Sequence, residues 1–157
     1  MAVPIILSVR RIDIMSDLLL NGGDLVADKY GDLIICNSEE ADIVQTANNS
    51  ILLRFGHNKY HTDIGNKVYT NRIKANDLGK EMVASECKNA ILLGDSRVRT
   101  VESMTVTMLE DANCMVDYII TAVIGSTDNY NTSNANENVV RIDGRAYVNA
   151  FNMEGGE

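Results

Sequence analysis

The middle of the chain reads Arg54-Phe55-Gly56-His57-Asn58-Lys59-Tyr60-His61-Thr62-Asp63-Ile64-Gly65-Asn66, and after a further segment with an apolar stripe it reads Gly94-Asp95-Ser96-Arg97-Val98. Glycine and polar side chains dominate the first stretch, which predicts an irregular connection between two helices. The second stretch follows a glycine that can stop a helix and leads into β-prone residues. It therefore predicts the step from a helix into a strand.

Two helices are predicted, one on each side of the first stretch. The first begins at Asn37, because Asn37 and Glu40 make a capping-box pattern, and Gly56 ends it. The second runs from about Asn76 to Leu93, followed by Gly94 as a stop. Apolar residues recur at helical spacing along one face of each: Val44, Ala47, Ile51 and Phe55 in the first, and Val83, Cys87, Ala90 and Ile91 in the second.

An antiparallel pair of strands is predicted after the second helix. Met104, Val106 and Met108 alternate with threonines, as expected of a strand with one buried face. Residues 114–124 are apolar on both faces apart from Asp117 and Thr121, which is typical of a central strand.

The two ends of the chain add β structure to the same domain. In residues 1–36, apolar runs on either side of residues 28–32 predict a hairpin, and Asn21-Gly22-Gly23 predicts a turn. Residues 37–124 hold the helices and the strand pair. In residues 125–157, a stretch rich in Asn, Ser and Thr predicts a mobile loop, and Asp143-Gly144 predicts a C-terminal hairpin over 139–148. The predicted fold class is α+β, a mostly antiparallel sheet with two packed helices.

Composition and charge narrow the range of functions. The 157 residues carry a net charge of −8. Because proteins bind phosphate backbones through Lys and Arg, such an acidic chain is a poor candidate for binding nucleic acid. No uncharged apolar run reaches the roughly 18 residues that a membrane span requires. The three cysteines are widely spaced, which favours free thiols in a reducing compartment. We therefore expect neither nucleic acid nor a membrane as a partner.

The order and spacing of these segments, over residues 24–124, resemble the baseplate wedge and sheath-initiator family of contractile phage tails and related injection machines. Some members of that family are labelled lysozyme-like. The resemblance implies a fold similar to the inner core of the tail sheath subunit. It also implies a structural part of the virion baseplate, assembled in the bacterial cytoplasm, which links the wedge to the sheath and templates the first sheath ring. Wedge proteins and the sheath protein are the implied partners, with the tail tube as a further candidate, and the resemblance implies six copies in the assembly.

The same resemblance suggests two binding regions. The family carries Glu-Pro-Arg where this chain has Asp95-Ser96-Arg97, and that motif docks onto the wedge; Ser96 replaces the proline here. An arginine fork can bind carboxylates in a bidentate way. Strand addition by the sheath is expected on the predicted strands, with these candidates: Met104, Val106, Met108, Val116, Tyr118 and Ile120.

The sequence does not show the residue arrangements that metal binding, glycoside hydrolysis or cysteine catalysis would need. His57, His61 and Asp63 could be metal ligands, but a loop is predicted there and a further fixed ligand is not evident. A glycosidase needs two positioned carboxylates, and nothing in the sequence pairs the available acids: Glu81, Glu86, Glu102, Glu110 and Asp111. Cys87 lies on an apolar stripe, which predicts a buried thiol. We expect neither enzymatic activity nor a bound metal or cofactor. The alternatives to a sheath-templating subunit are a baseplate peptidoglycan hydrolase and a baseplate or tube adaptor without sheath contact.

Overall fold

The computed structural model describes residues 18–21, 24–36, 38–70, 73–125 and 138–151. Two short strands come first, β1 (Leu20–Asn21) and β2 (Asp24–Leu25). They are followed by α1 (Glu39–Leu52), a 3-10 helix (Lys67–Tyr69) and α2 (Asp77–Gly94). Three long strands complete the order: β3 (Val98–Met108), β4 (Asn113–Ile124) and β5 (Asn138–Asn149). The architecture is α+β with two antiparallel sheets and two helices, as predicted.

The main sheet has the order β3-β4-β5, and both pairings are antiparallel. The predicted central strand is confirmed, since β4 pairs along its whole length with β5 and along most of it with β3. Its side chains alternate between buried and half-buried. One face of the sheet is therefore covered, and the other is partly open to solvent.

Both helices pack on the covered face. Buried side chains from both helices meet those of β4 in one core. Its members are Ile43, Ala47 and Ile51 from α1, Val83, Cys87 and Ile91 from α2, and Cys114, Val116, Tyr118 and Ile120 from β4. Burying an aliphatic side chain of this kind contributes roughly 1.5–3 kcal/mol. The predicted apolar stripe of α2 is buried throughout.

The helix boundaries follow local polar contacts. Ser38 caps α1 by accepting from the amide of Ala41, and Asn76 caps α2 by accepting from Gly79. The first helix ends at Leu52, earlier than Gly56, because the chain then turns to pair Arg54 with Asn66. Phe55 consequently leaves the helix face on which the sequence placed it.

The predicted C-terminal hairpin is wrong. Asp143 and Gly144 lie inside the continuous strand β5, and Gly144 pairs with Tyr118 of β4. A Cβ on Gly144 would approach the Tyr118 ring to within 2.3 Å. The glycine therefore makes room for a buried tyrosine, and β5 completes the domain's own sheet.

The N-terminal hairpin is confirmed around residues 28–32. Ala27 bridges to Leu33, and the amide of Gly31 donates to the carbonyl of Asp28. Gln45 of α1 fastens this segment to the domain, since it accepts from the Leu20 amide and donates to the Leu18 carbonyl. The predictions for residues 1–17, the Gly22-Gly23 turn, Asn37 and the loop over 126–137 lie outside the described residues, and the domain division stays a prediction.

Candidate partner-binding site

The turn between α2 and β3 is held by its own backbone and by Asp95. The Asp95 amide donates to the carbonyl of Ile91 and closes the helix. The Asp95 carboxylate accepts from the backbone amide of Arg97 at 2.9 Å. The Arg97 carbonyl in turn accepts from the amide of Val123 on β4 at 2.9 Å. These bonds fix both ends of the turn without any contribution from the Arg97 side chain.

The Arg97 guanidinium binds two buried carboxylates. Its Nε lies 3.0 Å from Asp95 Oδ1, and its Nη2 lies 2.8 Å from Asp95 Oδ2. The same Nη2 lies 2.8 Å from Oδ2 of Asp42, in the first turn of α1. Both aspartate side chains are 7% exposed, and the arginine side chain is 27% exposed. The arginine therefore joins the end of α2 to the beginning of α1.

A third acid extends this cluster towards the end of β4. Glu39 Oε1 lies 4.0 Å from Nη1 of Arg97, and Glu39 Oε2 accepts from the Gly125 amide at 2.9 Å. The hydrogen bond to Asp95 raises the pKa of Arg97, and the bond to Asp42 adds to this against the opposing effect of burial. The cluster of Glu39, Asp42, Asp95 and Arg97 holds three acids and one cation, so it has an excess of negative charge.

The predicted docking turn is thus present, but its fork faces inward. Asp95 and Arg97 bind each other within the turn, and Ser96 is exposed at its tip. Asp42 was missed, because an acid in the first turn of a helix is ordinary near the positive end of the helix dipole. Nothing in the local sequence signals its pairing with a residue 55 positions away.

The strand-addition candidates divide between an edge strand and the central strand. Val116, Tyr118 and Ile120 lie on β4, whose backbone pairs on both sides, so they cannot accept a further strand in this arrangement. Tyr118 instead donates to Oδ1 of Asn48 on α1 at 2.8 Å. Burial raises the pKa of its hydroxyl.

Met104, Val106 and Met108 lie on β3, where strand addition remains open. Their side chains face the helices and are half-buried against the core. Among the described residues, no strand pairs with the outer edge of β3. The prediction of strand addition therefore rests on this strand.

The other candidates do not form a site. Of the acids considered for glycoside hydrolysis, Glu81 and Glu86 lie on α2, Glu102 on β3, and Glu110 and Asp111 just after β3. Glu102 pairs with Arg141 across the open face of the sheet. Within the described parts of the chain, no group of three metal-ligating side chains gathers, and His57, His61 and Asp63 stay in a solvent-exposed loop.

No described helix has the length and apolar character needed to cross a bilayer.

The three cysteines are buried. Burial raises the pKa of the Cys87 thiol to about 12, although a hydrogen bond from Asn66 opposes this. Such a thiol is protonated at neutral pH and is a poor nucleophile.

Comparison with solved structures gives a fold relationship. The chain is similar to a Geobacter sulfurreducens protein that is provisionally named a tail lysozyme, with a TM-score of 0.57 and 15% sequence identity. The likeness covers 78% of this chain and 99% of that chain. No protein-family model matches the chain, and neither does any curated protein. At this identity the likeness establishes a shared fold.

Proposed function

We propose that this protein is a structural subunit of a contractile-tail baseplate, which joins the wedge to the first ring of sheath. The observation that carries the proposal is the outer edge of β3, an edge strand of 11 residues. Such an edge offers backbone N–H and C=O groups to a strand from another chain. The fold relationship with a tail protein supports the same assignment.

The inward-facing arginine gives the edge a defined position. Arg97 ties the start of β3 to both helices through Asp42 and Asp95, so the edge strand begins at a fixed point of the domain. A template must present its edge in one register, since a slip by one residue reverses every side chain of an added strand. We propose that the exposed tip at Ser96 contacts the wedge, while Asp95 and Arg97 maintain the shape of the turn.

The placement of the buried carboxylates also favours a structural role over hydrolysis of peptidoglycan. The name of the similar protein refers to lysozyme activity, and a glycosidase requires two carboxyl groups across a cleft. Among the described residues, the buried acids Asp42 and Asp95 are bound to Arg97 and are not presented to a substrate. Lysis of peptidoglycan by the purified protein, lost on Glu81→Gln or Glu86→Gln, would favour the hydrolase.

The proposal is tested by copurification with the sheath and wedge subunits of the same tail, followed by electron microscopy. The wild type should capture both partners, and sheath rings should start from it. Thr105→Lys with Thr107→Lys places charges on β3 and should abolish sheath capture, since edge charges oppose strand addition. Val139→Lys with Tyr147→Lys, the matched change on β5, should retain it.

The outcomes separate the alternatives. Wedge capture without sheath capture would identify an adaptor. Capture of neither partner, or equal loss of sheath capture in both double variants, would overturn the proposed role.

A further inference from the structure

The loop over residues 54–66 has no part in the proposed role, yet its base is firmly held. Asn66 is fully buried, and its side chain donates to the Ile51 carbonyl at 3.0 Å and accepts from the Val68 amide at 3.0 Å. The backbone of Asn66 exchanges hydrogen bonds with Leu53 and Phe55. The loop is therefore positioned by the core, although most of its side chains are exposed.

The tip of this loop presents an aromatic side chain to solvent. Tyr60 is 92% exposed, and its backbone amide is bound by the side chain of Asn58 at 2.9 Å. The amide of His61 donates to the same Asn58 oxygen at 3.2 Å. A tyrosine on an ordered backbone loses little conformational entropy on binding, and tyrosine is enriched among residues that dominate protein interfaces.

An open groove of about 350 Å³ lies beside the base of the loop. It is lined by side chains from the loop, the 3-10 helix and the C-terminal half of α2, chiefly Phe55, Lys67, Glu86, Asn89, Leu92 and Leu93. Lys67 Nζ lies 4.8 Å from the centre of the Phe55 ring. Leu93 is 57% exposed, so the groove offers apolar surface next to a held cation.

The charge of this region is opposite to that of the whole chain. Residues 54–67 carry Arg54, Lys59 and Lys67 against the single acid Asp63, whereas the chain has a net charge of −8. Glu86 is the acid that lines the groove. An acidic partner segment is repelled by most of the surface and attracted here, which selects both the site and the approach.

We propose that the loop over 54–66, with Lys67 and the end of α2, is a docking surface for an acidic protein segment that also carries an apolar side chain. The apolar side chain packs on Phe55, Leu92 and Leu93. The carboxylates pair with Lys67, which lines the same groove. This surface differs from the β3 edge and does not depend on the proposed function.

The test uses the full chain as bait for a displayed library of random peptides, with the selected peptides then measured by calorimetry. Peptides with acids and an aliphatic or aromatic residue should be enriched. Tyr60→Ala and Lys67→Glu should each weaken their binding by about tenfold or more. Replacing the peptide's acids with amides should do the same.

The turn at residues 28–32 supplies matched controls. Tyr30 is 77% exposed, and Lys29 Nζ lies 4.8 Å from its ring, so Tyr30→Ala and Lys29→Glu remove the same chemistry elsewhere. These variants should bind as the wild type does, and unchanged melting temperatures for Tyr60→Ala and Lys67→Glu confirm their folding. Failure to enrich any peptide, enrichment of basic peptides, equal losses in the controls, or binding of a single-stranded DNA oligonucleotide instead would overturn the proposal.

Discussion

The turn at residues 95–97 and the loop at residues 54–66 both follow a helix, but they place their side chains in opposite ways. In the turn, Arg97 is 27% exposed and binds carboxylates of its own domain. In the loop, a buried residue, Asn66, holds the base, and the tip leaves Tyr60 92% exposed. The Arg97 side chain therefore stabilises the turn itself, whereas the loop is stabilised at its base by Asn66 and leaves Tyr60 free for contact.

This difference shows how to separate folding from binding in this protein. A substitution in the turn removes a cation from two buried acids and should affect stability first. A substitution at the loop tip removes nothing that the described core uses and should affect binding alone. The predictions below test that division.

The largest effect is expected for Arg97→Ala. The change leaves Asp42 and Asp95 buried without their cation, which should lower the free energy of unfolding by about 3 kcal/mol. Urea denaturation measures this loss. Arg145→Ala is the matched control, because Arg145 makes a single pair with Asp117 and is 53% exposed. That control should cost much less, because an ion pair between solvent-exposed side chains contributes little to stability. Equal losses for both variants would show that the buried cluster does not stabilise the domain.

An intermediate effect is expected for Asn66→Ala. The substitution removes the side-chain acceptor of the buried Val68 amide, at a cost of roughly 1–3 kcal/mol. It also leaves the Ile51 carbonyl with the Tyr69 hydroxyl as its side-chain donor. Asn58→Ala removes comparable hydrogen bonds at the exposed tip and should change stability by less than about 0.5 kcal/mol. Thermal melting of the two variants compares base and tip directly. A larger loss for Asn58→Ala would reverse the interpretation of the loop.

The effect that is smallest near neutral pH is a loss of stability that develops at alkaline pH. Burial raises the pKa of Cys87 from 9.0 to about 12, so the folded thiol keeps its proton while the unfolded thiol loses it. This contribution to stability is complete below pH 9.0 and declines as the pH rises towards 12. Cys87→Ala should therefore show a smaller fall in its urea midpoint between about pH 8 and about pH 11 than the wild type.

Val83→Ala controls for the cavity that this substitution creates. Val83 is buried one turn earlier on the same face of α2 and cannot titrate. Its variant should be less stable at every pH, with the pH dependence of the wild type. A Cys87→Ala variant that keeps the full alkaline fall would show that this thiol is not responsible.

Much of the candidate site could be predicted where the signal was local. The helix stop at Gly94 placed Asp95, Ser96 and Arg97 in one turn, as predicted, whereas the contact between the acid and the arginine was not predicted. The third partner, Asp42, could not be predicted in this way. Its contact with Arg97 exists because α1 and α2 pack side by side on the sheet, and that packing leaves no periodic trace around residue 42.

The misplaced hairpin has a comparable cause. Asp143-Gly144 is a turn signal when only neighbouring residues are considered, since glycine is favoured at positive φ. In the folded chain the strand continues by pairing with β4, and the glycine lies where a side chain would overlap the Tyr118 ring. A contact between residues 26 positions apart therefore outweighs a local preference.

By itself, the sequence determined the elements whose signals are repeated along the chain. The apolar stripe of α2, the alternation along β3 and the apolar length of β4 each involve several residues, so no single contact can reverse them. Only the tertiary structure decided that β5 is one strand, that this strand occupies the second side of β4, and that Arg97 faces inward. Those outcomes depend on pairs of residues brought together by packing, and such pairs have no characteristic spacing in the chain.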